Sequence, residues 1–173
     1  MTVYNKNLAS AMTDNLLKIR KKNLRNSFRD FSDVEHRMER VAELNKIIFI
    51  NDSKAETANA TYFALQSVKK PVVWIAGGED SQTDYEDLLP LVRLKVEAII
   101  MIGKDNSKLY KTFKDSISEF YQVNDLQEAV WLAREISFKG TTVLFSPAAK
   151  PEGEFKNYEE RGLMFKKIVR ELI

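Results

Sequence analysis

The chain has no cysteine, one histidine, six glycines and four prolines in 173 residues. The absence of cysteine excludes disulfides, thiolate nucleophiles and thiolate metal sites. A single histidine, His36, excludes a histidine-cluster metal centre and argues against a Ser-His-acid triad. No apolar run is long enough to span a bilayer, and the polar, lysine-bearing start does not resemble a signal peptide. A cytoplasmic protein without a membrane partner is expected. Charge of one sign is also lacking. Lysine and arginine total 27 against 25 acids, a net charge of +2, so nothing electrostatic points to nucleic acid. No Gly-x-x-x-x-Gly-Lys-Ser/Thr occurs, so the chain carries no P-loop of its own. Gly77-Gly78 lacks the third glycine of a dinucleotide fingerprint.

What is present is a core and an alternation. Hydrophobic residues make up 44% of the chain and charged residues 30%, which fits one folded domain with a small appendage. Leu8, Met12, Leu16 and Ile19, then Leu24, Phe28 and Phe31, repeat at helical spacing and predict a helical pair over 5–31. That pair buries one apolar face only and is too small to fold alone. From 40 to 50 a hairpin or two adjacent strands are expected around Asn45. Helices are expected over 58–68, 84–94, 107–113 and 125–138, and strands over 71–76, 96–102, 120–123 and 141–145. The strand over 120–123 reads as an edge. Tyr158, Phe165, Ile168, Val169 and Leu172 form the stripe of a last helix. Continuous apolar strands alternating with helices predict an α/β fold: a Rossmann-like, mostly parallel sheet with helices on both faces, preceded by the short helical pair. The boundary between the two parts is placed at 33/34.

In such a sheet the strand ends share one edge, where ligands bind. They read Asn51-Asp52-Ser53-Lys54, Gly77-Gly78-Glu79-Asp80, Gly103-Lys104-Asp105 and Ser146-Pro147. Asp52 or Ser53 suits the N-cap of the next helix. Lys54 reads from local pattern alone as a solvated lysine. Glu35-His36-Arg37-Met38-Glu39 reads as a solvated or ion-paired linker, although Arg37 has the fork geometry for phosphate or ribose. Glu159, Glu160 and Arg161 read as a solvated helix face with local pairing. An aromatic at the start of that helix is placed to line a pocket at the sheet edge.

Five blocks follow one another in order: His36-Arg37-Met38-Glu39, Phe49-Ile50-Asn51-Asp52-Ser53-Lys54-Ala55, Ile75-Ala76-Gly77-Gly78, Leu144-Phe145-Ser146-Pro147-Ala148, and Phe155 through Gly162. Together they resemble the C-terminal domain of the Mur ligases, in particular the D-glutamate-adding type, over 34–173. Residues 3–31 resemble the tail of that family's central ATP-binding domain. The resemblance implies an ATP-dependent amide ligase of peptidoglycan precursor synthesis. ATP phosphorylates the carboxylate of UDP-N-acetylmuramoyl-L-alanine, and an amino acid such as D-glutamate attacks the acyl phosphate. It implies ATP and Mg2+, with the phosphate cradle and metal site in the central domain, so no metal ligand is assigned here. It also implies the family's N-terminal and central domains as partners, without which the chain is not competent.

Position by position, the resemblance places Asn5, Arg37 and Asp52 toward the nucleotide. Lys54 stands near the reacting groups as the catalytic lysine. The amino-acid pocket comprises Ser53, Lys54, Glu56, Ser81, Lys150, Pro151 and Tyr158. Several of these depart from the family pattern. Glu56 stands where a threonine faces D-glutamate, Ser81 replaces the lysine that pairs with its side-chain carboxylate, and Pro151 replaces a serine. Ala149 replaces a cysteine, Lys150 is new, and Tyr158 replaces a phenylalanine. A desolvated dicarboxylate needs paired cations or donors, so weak or absent D-glutamate binding is expected. The alternative is a free-standing, non-catalytic binding or regulatory module derived from this domain, a reading that Met1 and the altered pocket suit.

Overall fold

Asn45 and Lys46 both adopt left-handed φ, 52° and 65°, which matches a two-residue hairpin turn to the twist of its strands. They join β1 (Glu39–Leu44) to β2 (Ile47–Asn51), antiparallel, with Leu44 opposite Ile47. The computed structural model describes residues 34–78 and 83–173. The expected helical pair over 5–31, Asn5 and Ser81 lie outside the described residues. Glu35–Ile173 forms one compact unit.

After the hairpin come α1 (Ala58–Ser67), β3 (Val72–Ala76), a 3-10 turn at Glu86–Leu88, α2 (Leu89–Lys95) and β4 (Val96–Ile102). Then follow α3 (Ser107–Phe113), β5 (Glu119–Val123), α4 (Leu126–Ile136), β6 (Thr142–Phe145) and α5 (Tyr158–Glu171). The sheet order is β1-β2-β6-β3-β4-β5, with every pair parallel except β1/β2. The expected α/β architecture is the observed one, with β5 at an edge. The helix expected over 84–94 is divided: Pro90 stands in the first turn of α2, where its missing N–H costs nothing, and the 3-10 turn precedes it.

β3 is buried at every position and its side chains alternate between two cores. Val73 and Ile75 pack with Phe49, Ile100, Val143 and Phe145 beneath α4 and α5. Val72, Trp74 and Ala76 pack with Ile99, Met101 and Leu144 beneath α1, α2 and α3. Trp74, fully buried, meets Phe113 edge to face at 5.7 Å and donates its Nε1–H to the Ser146 carbonyl at 2.8 Å. Among the described residues no helix is long and apolar enough to cross a membrane.

The helices that leave β3 and β6 lie on opposite faces: the chain from β3 passes to α2, that from β6 to α5. Their carboxyl ends therefore flank a topological switch point, where an open α/β sheet leaves a crevice.

Candidate functional site at the carboxyl edge of the sheet

β2 ends at Asn51, and the next residues turn sharply before α1 begins. Asp52 N–H continues the sheet to the Phe145 carbonyl at 2.8 Å, and Ala55 N–H closes the turn on the Asp52 carbonyl at 2.9 Å. The helix cap is Thr57, whose hydroxyl accepts from Ala60 N–H at 3.2 Å. The expectation that Asp52 or Ser53 caps this helix is thereby corrected. Both are engaged elsewhere, which frees the turn to present its own groups.

Asp52 is buried. One carboxyl oxygen accepts from Met38 N–H at 3.2 Å and the other from the Ser146 hydroxyl at 2.8 Å. Thr61 Oγ1 lies 2.9 Å from Ser146 Oγ and extends the chain inward. Burial pushes the Asp52 carboxyl up to about 7, against the opposing pull of Ser146, Met38 and the Arg37 charge. The bond to Met38 has a positional consequence. His36 and Met38 both hold left-handed φ, 63° and 49°, a conformation that side chains other than glycine adopt at a cost. Asp52 and the bond from Lys54 N–H to the His36 carbonyl at 3.1 Å hold this turn in place. Arg37 stands between the two strained residues, half-buried at the sheet edge.

His36 is buried, only 3% exposed, which corrects the solvated half of the reading of 35–39, while Lys166, 2.7 Å from Glu35 and from Glu39, bears out the ion-paired half. Asn51 Nδ2 lies 2.9 Å from His36 Nδ1, and since an amide nitrogen only donates, the ring nitrogen accepts. The same amide reaches Glu39 and the Gly162 carbonyl. A Cβ on Gly162 would stand 2.2 Å from His36 Nδ1. Helix propensity alone favours alanine there by about 1 kcal/mol, yet the ring is enclosed. Gly162→Ala is expected to destabilise by about 1–3 kcal/mol, read as a lower urea midpoint. A midpoint equal to or above that of the parent would remove this packing argument.

Arg161 is the largest departure from the sequence reading. Its side chain is buried, 6% exposed, instead of solvated. Nε donates to Ser53 Oγ at 3.1 Å, one Nη donates to the Ser53 carbonyl at 2.8 Å, and the other to the Ala149 carbonyl at 3.1 Å. Ser53 Oγ in turn donates to the Tyr158 carbonyl at 2.8 Å. One side chain thus ties the strand-end turn, the loop after β6 and the first turn of α5 together. Burial lowers its pKa to about 10, opposed by the charge of Glu56. The start of α5 is fixed by Asn157, which accepts from Glu160 N–H at 2.8 Å, while Glu160 accepts from Lys156 N–H at 3.0 Å.

Lys54 Nζ stands 5.0 Å over the Tyr158 ring, close enough for a cation–π contact. The structure therefore brings Lys54, Ser53 and Tyr158 together, with Arg37 and Asp52 on the adjoining turn and Glu56 within electrostatic range of Arg161. Lys150 is exposed and Pro151 half-buried on the loop after β6. Among the described residues, Glu35, His36 and Glu39 are the one acid and histidine cluster of metal-binding size. Lys166 already places its ammonium 2.7 Å from both carboxylates, so this cluster does not fit a metal ion.

Residues 36–149 match the family model of the Mur ligase, glutamate ligase domain. The chain belongs to the Mur ligase family. It is 46% identical over 165 residues to the UDP-N-acetylmuramoylalanine--D-glutamate ligase of Christiangramia forsetii, covering 95% of this chain and 37% of that enzyme. This Mur ligase chain therefore spans little more than a third of that relative's length. The same fold occurs in the UDP-N-acetylmuramate-alanine ligase MurC of Thermotoga maritima, with a TM-score of 0.53 and 19% identity over 83% of this chain and 32% of that one. It occurs also in the MurF ligase of the same organism, crystallised in complex with ADP, with a TM-score of 0.50 and 16% identity over 82% of this chain and 33% of that one. The Mur ligases are ATP-dependent, and this chain corresponds to their C-terminal domain.

Proposed function

We propose that this chain is the C-terminal portion of an ATP-dependent ligase that adds an amino acid, of the D-glutamate class, to UDP-N-acetylmuramoyl-L-alanine in peptidoglycan precursor synthesis. The observation that carries this is the cation Lys54, held over Tyr158 on a turn whose flanking segments are tied by Asp52 to Met38 and by Arg161 to Ser53. A preorganised cation at the strand end stabilises the negative charge that develops when an amine attacks an acyl phosphate. Arg37, positioned by the Asp52–Met38 bond, faces the nucleotide; Asn5, outside the described residues, is given a nucleotide contact by the family resemblance alone. Asp52 sets that turn from beneath. Ser53, Lys54, Glu56, Lys150, Pro151 and Tyr158 form the acceptor pocket, to which the family resemblance adds Ser81, outside the described residues.

Among the described residues, the one acid and histidine cluster of metal-binding size is already occupied by the Lys166 ammonium. The adenosine phosphates and the metal are handled by the part of the longer ligases that this chain does not span. The reaction takes place in the cytoplasm, where its nucleotide substrates are made.

The test is replacement of the corresponding segment of the Christiangramia forsetii ligase by this chain. The chimera is expected to rescue growth of a strain depleted of its own D-glutamate-adding ligase. Lys54→Ala in the chimera, with equal expression, is expected to abolish rescue. Glu56 and Pro151 favour a second reading, a non-catalytic binding module, because they remove donors from the acceptor pocket. A stable chimera that joins no amino acid of any kind to UDP-N-acetylmuramoyl-L-alanine would select that reading.

A further inference from the structure

A cleft of about 380 Å3 lies at the switch point, on the α4 and α5 side of the sheet. Its volume suits a small ligand. Its floor is Ile102, Leu126, Phe145 and Phe155; its backbone wall is Gly77, Gly78 and Gly103. It shares Lys150 with the proposed acceptor pocket but does not include Lys54, Glu56 or Tyr158. Gly77 and Gly78 leave no room for a side chain, since a Cβ on Gly77 would stand 2.5 Å from the Ile102 carbonyl and one on Gly78 2.8 Å from Ala149 Cβ.

Arg161 lines this cleft. Its three hydrogen bonds go to one hydroxyl and two carbonyls, and among the described residues no carboxylate lies within 4 Å of it. A guanidinium has five N–H donors, so two remain beyond those bonds. A buried cation is costly unless an anion or further hydrogen bonds compensate it. Phe145, whose ring centroid is 6.0 Å from the Arg161 Cζ, stacks on Phe165 at 4.9 Å and gives a rigid apolar wall beside the charge. The rim carries Lys104 and Lys150, but also Asp125, Glu152 and Glu154. Those acids oppose a second negative charge on the ligand.

We propose that this cleft is a binding site for a small monocarboxylate with a flat or branched apolar body. The carboxylate pairs with the two remaining Arg161 donors, and the body lies on Phe145, Leu126 and Phe155. The rim acids discriminate against dicarboxylates and phosphate. This site rests on the cleft and its buried cation and holds whether or not the chain completes a ligase.

The experiment is a two-dimensional amide NMR titration of the isotopically labelled 173-residue chain with benzoate, benzamide, phthalate and inorganic phosphate. Benzoate is expected to saturate and to shift the amides of Gly77, Gly78, Gly103 and Gly153 and the Arg161 Nε–H. Benzamide, lacking the charge, and the dianions are expected to bind at least tenfold more weakly. Arg161→Gln is expected to lose benzoate binding at least tenfold. Because Arg161 also ties three segments together, Phe155→Ala serves as the second variant, removing half-buried apolar floor; it is expected to weaken benzoate about fivefold. Equal binding of benzoate and benzamide, shifts confined to other surfaces, or full benzoate affinity in folded Phe155→Ala would each overturn the proposal.

Discussion

Arg161→Ala is expected to lower unfolding free energy by about 3–5 kcal/mol, measured by urea denaturation at neutral pH. The guanidinium makes three hydrogen bonds to Ser53 and Ala149. A hydrogen bond to a charged group contributes about 1.5–3 kcal/mol, and a buried acceptor left without a donor carries a desolvation penalty of about 1–3 kcal/mol. Against this stands the cost of burying the cation, visible in its lowered pKa, which keeps the net below the sum of its bonds. Arg161→Lys keeps the charge but not the fork, which reaches three acceptors in different directions. It is expected to recover less than half of the loss. The damage should also be local. Ser53, Tyr158 and Ala149 lie on different segments, so amide exchange is expected to rise around 52–55 and 148–158 before it rises in β3. Arg161→Ala at parental stability would mean that the strand-end turn holds without its arginine.

Asp52→Asn is expected to stabilise the chain at pH 8 and to change nothing near pH 3. In the unfolded chain the carboxyl titrates near its ordinary value of about 3.9; in the fold it titrates at about 7. Below both values each state is protonated, and the buried carboxyl is neutral at no cost. As the pH rises through the interval, the unfolded state releases its proton first, so stability falls with pH until about 7 and is constant above. The ceiling on this loss is about 4 kcal/mol. Asparagine can accept from Met38 N–H through its oxygen and donate to Ser146 Oγ through its nitrogen, so it keeps the geometry without the charge. Thermal melts of parent and variant from pH 3 to 9 should diverge progressively above pH 4. A variant less stable than the parent at pH 8 would show that the ionised carboxylate is favoured where it sits. In the chimeric ligase Asp52→Asn is then a stability-neutral or stabilising probe of the nucleotide side, because it leaves the Arg37 turn in place.

Much of this architecture is legible in the sequence because the strands are short apolar runs with polar or glycine ends. The strand over 96–102 and the helix over 107–113 coincide with β4 and α3. Asp125 caps α4 as its side chain suggests. The edge turn at 51–54 was visible because an apolar β-branched run stops abruptly at four polar residues. What is not legible is the burial of polar groups. Glu159-Glu160-Arg161 has the look of a charged helix face, and nothing local says that the arginine turns inward. The available signal was Gly162 in the middle of a helix, where glycine costs about 1 kcal/mol and implies a close neighbour; that neighbour is His36. Thr57 does not stand out as a cap in the sequence because Asp52 and Ser53 offer the same chemistry earlier in the chain. Tertiary bonds to Ser146, Tyr158 and Arg161 claimed them, and such long-range claims leave no periodicity behind.

The ligase assignment requires that this chain complete an active enzyme. The direct measurement is amide formation by the purified chimera with the remaining domains of the Christiangramia forsetii enzyme. It is supplied with ATP, Mg2+, UDP-N-acetylmuramoyl-L-alanine and a panel of amino acids that includes D-glutamate, with product mass read by mass spectrometry. The account predicts ATP-dependent product with an amino acid of the panel, a raised D-glutamate KM relative to the parent enzyme, and a loss of at least a hundredfold in kcat on Lys54→Ala. A folded chimera that makes no product with any amino acid, or one indifferent to Lys54→Ala, would contradict it.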